Sequence, residues 1–191
     1  MKMVPDTDPP LGDALLARAR WAIESALGIP GAEPPTHPAF AERGACFVTL
    51  TRDGVLRGCI GSIQQRRALA EDVTENAVGA ALRDDRFPPL TAEEWPDIQV
   101  EVSLLSRPEF MEVRNEAEVL ERLRPGIDGV IFFEGCRRST FLPQVWEQLP
   151  EPKEFLGRLK EKAGLKATHW SNNVMIATYQ VEKFGDRVHV A

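Results

Sequence analysis

The chain has 191 residues, of which 43% are hydrophobic and 27% are charged, and its formal net charge is −6. These values are typical of one globular domain, or of one domain with a small additional lobe. The acidic balance argues against a general duplex-DNA binder, which needs a basic surface for the phosphates, although a local basic pocket for a nucleotide or single strand remains compatible with it. No apolar run approaches the roughly 20 residues that span a bilayer.

The three cysteines, Cys46, Cys59 and Cys136, are an odd number with no metal-like spacing. Reduced thiols in a cytoplasm are the simplest explanation of this pattern. The three histidines, at positions 37, 169 and 189, form no motif of two histidines on one helix face. We therefore expect a cytoplasmic protein without a membrane span and without a metal site.

In the first half of the chain, apolar spacing predicts a helix over 11–27, which Gly28 ends. The strongest hairpin signal follows, because β-rich segments at 46–51 and 55–60 flank a turn at Asp53-Gly54. A second helix is predicted over 67–82.

In the second half, strict alternation predicts a strand over 98–104 with Glu101 and Ser103 on the polar face. The remaining predicted elements are helices over 116–123 and 152–163 and strands over 129–134, 139–142 and 174–184. Because two strands join through a tight hairpin, we predict an α+β fold with a mixed or antiparallel sheet flanked by helices.

The segment Leu56-Arg57-Gly58-Cys59-Ile60-Gly61 is the main candidate site. Glycines on both sides let another backbone or a ligand approach the thiol. Arg57 lies two residues before Cys59, so strand alternation places both on one face, where a cation favours the thiolate. Cys59 is therefore a candidate nucleophile, redox thiol or ligand contact. The competing interpretation is a small buried residue in a sheet.

Other candidates each have an ordinary structural alternative. Arg83 and Arg86, in Arg83-Asp84-Asp85-Arg86, are either a fork for a carboxylate or phosphate or a solvated helix end. Glu101 contacts a substrate only if its strand face lies beside Cys59. Gln144, in Phe141-Leu142-Pro143-Gln144-Val145-Trp146, either hydrogen-bonds a ligand or lies beside aromatic core residues.

The whole chain resembles the AMMECR family. The hexapeptide at 56–61 is similar to the family's defining motif, and further matching segments follow in order. These are AALRDDRFPPL at 80–90, Glu101-Val102-Ser103, LRPGIDGVI at 123–131, FLPQVW at 141–146 and FLGRLKEKAGL at 155–165.

The resemblance implies one AMMECR-type domain over 1–191, with a core over about 11–184 and with a larger and a smaller lobe, related to the RAGNYA fold group. That group implies a nucleotide, RNA or peptide ligand. Prokaryotic relatives accompany a Memo-like protein and a radical-SAM enzyme, so these are the implied partners. Arg57, Gly58, Cys59 and Gly61 carry over as motif positions, and no cofactor is implied.

Two functions follow from the sequence. We expect an accessory component that binds a ligand or partner within the Memo-like and radical-SAM system. The alternative is an enzyme that uses Cys59 as nucleophile or redox thiol on an anionic small substrate, which Arg57 with Arg83 or Arg86 would hold.

Overall fold

The computed structural model describes residues 8–34 and 36–186, so the histidine at position 189 lies outside the described residues. The described residues form two compact units, the first with residues 8–34, 36–105 and 182–186 and the second with residues 106–181. The helices are α1 (Leu11–Ala26), α2 (Leu69–Leu82), α3 (Glu116–Arg122) and α4 (Pro152–Lys162). The strands are β1 (Arg43–Gly44), β2 (Cys46–Arg52), β3 (Val55–Gly61), β4 (Arg67–Ala68), β5 (Ile98–Leu105), β6 (Glu109–Phe110), β7 (Gly129–Glu134), β8 (Arg137–Phe141), β9 (Val174–Tyr179) and β10 (Val181–Gly185).

The first unit is built on a four-stranded sheet in the order β10-β5-β2-β3, and β2 is antiparallel to both of its neighbours. Helices α1 and α2 pack together against the sheet. The core is formed by the apolar residues of the helices and the inward positions of the strands, including Leu15, Ile23, Val48, Val73 and Val100. The polar positions of β2 and β5 consequently lie on the other face of the sheet.

The predicted hairpin is confirmed, with its turn at Asp53 (φ 52°) and Gly54 (φ 77°). Both residues have left-handed backbone conformations, which a two-residue hairpin turn of this kind requires. The pairing register then shifts, because Thr51 faces Leu56 whereas Leu50 faces Gly58. Arg57 is therefore the extra residue of a β-bulge.

Helix α2 begins two residues later than the sequence pattern predicts. Arg67 and Ala68 instead form β4, which pairs antiparallel with β1 through Gly44 and Arg43. Helical periodicity alone does not detect this pairing, because the partner strand lies more than 20 residues earlier in the chain.

The second unit contains the antiparallel sheet β6-β9-β7-β8, against which α3 and α4 pack. Trp146 and Phe155 stack with ring centroids 3.7 Å apart at the centre of its core. The Trp146 indole N–H donates to the Asp128 carbonyl at 2.7 Å, so its one polar atom is satisfied. The core interpretation of Trp146 is therefore confirmed.

The predicted long strand over 174–184 is two strands, β9 and β10, which belong to different sheets. Gln180 lies between them, and both of its backbone groups bond to Ser106: its carbonyl accepts from the Ser106 N–H at 2.9 Å and its N–H donates to the Ser106 hydroxyl at 3.0 Å. These hydrogen bonds satisfy the backbone of Gln180 at the point where pairing passes from one sheet to the other.

The α+β class with antiparallel sheets flanked by helices is confirmed. Within the described residues, none of the helices is both long and apolar enough to cross a membrane.

Candidate functional site

Cys59 lies in a row of side chains on the face of the first unit's sheet opposite the helices. Thr49 of β2 faces both Cys59 of β3 and Glu101 of β5, so the three residues are neighbours across three strands. The Thr49 hydroxyl donates to the Cys59 Sγ at 3.3 Å. Cys59 and Glu101, which come from distant parts of the sequence, are therefore separated by a single residue of β2. We refer to Thr49, Cys59 and Glu101 as the Cys59 row.

The bulge at Arg57 decides which face carries the thiol. In an uninterrupted hairpin closed at Asp53-Gly54, Cys59 would face Val48, whose side chain is fully buried in the core. The extra residue moves Cys59 by one position, so that it faces Thr49 on the opposite side of the sheet. The thiol is consequently half-buried rather than part of the helix-facing core.

The two glycines of the hexapeptide allow close packing. A Cβ atom at Gly58 would overlap the Ala80 carbonyl oxygen of α2, and one at Gly61 would overlap the Phe47 ring. Neither glycine has a left-handed conformation. Their role is therefore to let a helix backbone and an aromatic ring contact β3, and nothing in this packing requires a ligand.

Asp84 and Arg86 bind the backbone of Cys59 on the side of β3 away from β2. The Cys59 N–H donates to Asp84 Oδ2 at 2.8 Å, and Arg86 Nη2 donates to the Cys59 carbonyl at 3.1 Å. Arg86 also forms a two-pronged ion pair with the Asp84 carboxylate through Nε (2.9 Å) and Nη2 (2.7 Å). The Arg86 hydrogen bonds hold the pKa of Asp84 well below its usual range, with a smaller contribution from the Cys59 N–H and against the effect of burial.

Arg57 is also paired. Its Nε and Nη2 donate to the two oxygens of Glu94 at 3.3 and 3.1 Å, and its side chain is only 12% exposed. The bonds from Arg57 lower the pKa of Glu94, so this carboxylate stays charged. Glu94 is further fixed by Thr91, because each residue's side chain accepts from the other's backbone N–H.

The structure does not bring Arg83 into this cluster. Its guanidinium donates to the Glu75 carbonyl at 3.1 Å and to the Glu75 carboxylate at 3.0 Å, along α2. Glu101 is engaged by Lys183 at 3.2 Å and accepts from Ser103 at 3.4 Å. Gln144 is exposed, in a 3₁₀ turn (Pro143–Glu147) of the second unit.

The chemistry that this arrangement supports is limited by charge pairing. Arg57 and Arg86 are each neutralised by a carboxylate, so neither offers an uncompensated charge to an anion. The thiol has a hydroxyl neighbour, which is a weak donor and not a general base at neutral pH. In the described ranges, no three His, Cys, Asp or Glu residues are placed to hold a metal ion.

The sequence interpretation missed a second cluster, centred on Asp72 of α2. This carboxylate is 1% exposed and accepts from the Cys46 N–H at 2.8 Å, the Ser62 hydroxyl at 2.6 and 2.7 Å, Arg67 Nε at 2.9 Å and Asn76 Nδ2 at 2.9 Å. Burial, followed by the Asp72 charge, raises the pKa of the neighbouring Cys46 thiol, which is therefore unreactive. The one available signal was a carboxylate on the apolar face of a predicted helix.

Comparisons with known proteins agree on one family. The sequence model of AMMECR1 matches residues 16–184. A protein of Methanothermobacter thermautotrophicus is 41% identical over 158 residues, covering 81% of this chain and 82% of the relative. A protein of Methanocaldococcus jannaschii is 39% identical over 171 residues, covering 87% and 85%.

One solved structure is similar over nearly the full length. It is the crystal structure of an uncharacterised protein of Pyrococcus horikoshii, with a TM-score of 0.74, 35% identity and coverage of 92% of this chain and 91% of that one. The family match, the identity to the relatives and the shared fold lead to the same conclusion. This chain belongs to the AMMECR1 family.

Proposed function

We propose that this protein binds a partner protein through the Cys59 row and performs no chemistry of its own. The observation that carries the proposal is the pairing of charges around the thiol: Arg57 with Glu94, and Arg86 with Asp84. Groups held in this way build a fixed surface, whereas catalysis by Cys59 requires a base or an uncompensated cation beside the sulfur.

The partners in this proposal are a Memo-like protein and a radical-SAM enzyme, in a cytoplasmic system of which this protein is an accessory component. The support for these partners is the family membership. The support for a cytoplasmic location is that the three cysteines are unpaired. A nucleotide, RNA or peptide ligand is the alternative occupant of the same surface.

Binding can be tested with the purified Memo-like and radical-SAM proteins from the same genome, using isothermal titration calorimetry. We expect Thr49→Arg to abolish binding, because a long charged side chain would project from the middle of the row. Asp13→Arg, at an exposed position near the start of α1, is the control and should leave the affinity unchanged. An absence of binding to both proteins by the unaltered chain would overturn the partner assignment. Equal affinity of Thr49→Arg and the unaltered chain would overturn the location.

The second candidate function is catalysis by Cys59 as nucleophile or redox thiol on an anionic small substrate. The observation that favours it is that the thiol is half-buried and that the Arg86 guanidinium bonds the backbone carbonyl of the same residue. This candidate requires the Arg86 guanidinium to act on the sulfur as well as on the carbonyl, since a cation near a thiol favours the thiolate.

The two candidates are separated by iodoacetamide labelling of each thiol as a function of pH. A catalytic Cys59 would react faster below pH 8 than the exposed Cys136, which is the internal control. If Cys59 reacts no faster than it does in the denatured chain, the catalytic candidate is excluded. The variant Cys59→Ser, with Cys136→Ser as its matched control, completes the comparison. The proposed binding function predicts that Cys59→Ser retains partner binding.

A further inference from the structure

A cavity of about 380 Å³ lies where the chain passes from β3 to α2. This volume is within the range of pockets that bind small molecules, which is roughly 300–1,000 Å³. All of its lining residues belong to the first unit, and none belongs to the Cys59 row. They are Ser62, Ile63, Gln64, Arg66, Arg67 and Asp72.

One wall of the cavity is rigid because Asp72 fixes it. The Asp72 carboxylate binds Arg67 Nε and the Ser62 hydroxyl, and Cys46 and Asn76 occupy its remaining acceptor positions. With its acceptor positions filled, Asp72 is not available as a metal ligand. Its charge is balanced by Arg67, so it does not repel an anion in the cavity.

The cavity carries more positive than negative charge. Arg67 uses Nε for Asp72 and Nη2 for Asn76 Oδ1 at 3.4 Å, which leaves its Nη1 hydrogens without a partner among the described residues. Arg66 is exposed, and its guanidinium has no bond to the part of the chain that the structure describes. Two guanidinium groups and one carboxylate leave one positive charge. This differs from the surroundings of Cys59, where each guanidinium faces a carboxylate.

The remaining lining residues suit a small organic anion. A guanidinium presents its N–H groups in a planar fork that matches the oxygens of a carboxylate or phosphate. The Gln64 side-chain amide is a further donor, and Ile63 provides an apolar wall for a short carbon skeleton.

We infer that this cavity binds the phosphate or carboxylate group of a small molecule, with Arg66 and Arg67 as its ligands and with Asp72 as the residue that positions Arg67. The inference goes beyond the proposed function, because it concerns a different surface and does not depend on partner binding at the Cys59 row.

The test is a titration with inorganic phosphate, and separately with acetate, at constant ionic strength maintained with sodium chloride. Binding is followed by amide chemical shifts in NMR spectra of the full chain. We expect saturable binding of at least one of the two anions, localised to residues 62–72. We expect Arg66→Gln to weaken it about tenfold or more, since a charge-assisted hydrogen bond contributes that much. The anion that binds more tightly identifies the group as phosphate or carboxylate.

Arg83→Gln is the matched control, because it removes one exposed arginine from the other end of α2. It should bind as the unaltered chain does, and so should Cys59→Ser. Arg67→Lys keeps the charge that balances Asp72 but removes the planar guanidinium, so we expect a folded protein that binds the anion more weakly. The inference is overturned if neither anion gives saturable shifts, if Arg66→Gln binds normally, or if Arg83→Gln weakens binding as much as Arg66→Gln.

Discussion

Two aspartate–arginine pairs contact strand β3 and the segment that follows it. They differ in whether an arginine without a carboxylate partner lies beside the pair. Asp84 accepts two hydrogen bonds from the Arg86 guanidinium, and the same guanidinium also donates to the Cys59 carbonyl. Asp72 pairs with Arg67 through Nε alone and takes its other bonds from neutral donors. Both carboxylates are buried, but the Asp72 pair has an additional arginine beside it, Arg66, whose guanidinium has no partner among the described residues. An arginine near a motif thus indicates an anion site only after its partners have been counted.

The largest expected effect comes from removing the Asp72 carboxylate. Asp72→Ala leaves the Cys46 N–H and one N–H of the Asn76 amide buried without an acceptor, and it leaves the charge of Arg67 without its carboxylate. We expect the free energy of unfolding to fall by about 3–5 kcal/mol, as for other broken buried pairs. Urea denaturation measures it, with Glu71→Ala, an exposed neighbour on α2, as the control expected to cost less than about 1 kcal/mol. A loss for Asp72→Ala no larger than that of the control would show that the hydrogen bonds to Asp72 do not stabilise the fold.

Removing the Asp84 carboxylate should lower the free energy of unfolding by less. In Asp84→Ala the Cys59 N–H loses its acceptor, but Arg86 is 52% exposed and can be solvated by water. We expect a loss of about 1.5–3 kcal/mol in the free energy of unfolding, which is the range for hydrogen bonds to charged groups. The neighbouring Asp85→Ala is the matched control, since Asp85 is exposed. A loss larger than that of Asp72→Ala would reverse the order of the two pairs.

The close contact between α2 and β3 can be tested at Gly58. A methyl group in Gly58→Ala overlaps the Ala80 carbonyl oxygen, so helix and strand must move apart. We expect a loss of about 1–3 kcal/mol, which is typical of overpacking. Gly185→Ala, where an added Cβ meets nothing within 4 Å, should be nearly neutral. Equal stability of the two variants would mean that the contact is easily relaxed.

The Asp84 pair also predicts a pH dependence. Because the pKa of Asp84 is lowered in the folded protein, its contribution is fully present above its unfolded pKa of about 4 and is lost as the pH falls towards the folded pKa. The stability difference between the unaltered chain and Asp84→Asn should therefore be constant from pH 7 to 5 and shrink below pH 4. Urea denaturation at pH 7, 5, 4 and 3 measures this difference. A difference that grows at low pH would contradict the assigned direction.

The smallest expected effect concerns the thiol itself. Thr49→Val removes the hydroxyl that donates to Cys59 Sγ while keeping the side-chain shape. Because sulfur is a weak acceptor, we expect a change below about 1 kcal/mol in the free energy of unfolding. A faster reaction of Cys59 with iodoacetamide in this variant would show that the hydroxyl shields the sulfur. A loss of several kcal/mol would mean that Thr49 is a core residue instead.

Local patterns predicted much of the fold. The turn at Asp53-Gly54, the apolar stripe of α1 and the alternation of β5 are each encoded within about 20 residues, and each is present in the structure. The bulge at Arg57 could not be predicted in this way. It depends on how β3 packs under Ala80 of α2, and that contact joins residues 22 positions apart.

The site was harder to predict than the fold for the same reason. Cys59, Arg86 and Glu101 were selected from the sequence, but the partners that determine their chemistry, Asp84 and Thr49, are set by tertiary contacts. The cavity beside Arg67 was missed because Arg67 fits a helical pattern, whereas it lies in β4. The residue type shows which side chains are able to react or bind. Whether they do so depends on their hydrogen-bond and ion-pair partners, which come from distant parts of the sequence.

The bonds from Asp84 and Arg86 to Cys59 have a consequence for association between molecules. Strand β3 is at the edge of its sheet, and an edge strand with free N–H and C=O groups can pair with a strand of another chain. At Cys59 both groups are already bonded to side chains of the same molecule, a carboxylate taking the place of the incoming carbonyl and a guanidinium that of the incoming N–H. At this point of the edge a further strand would have to displace the ion pair, so the pair opposes edge-to-edge association.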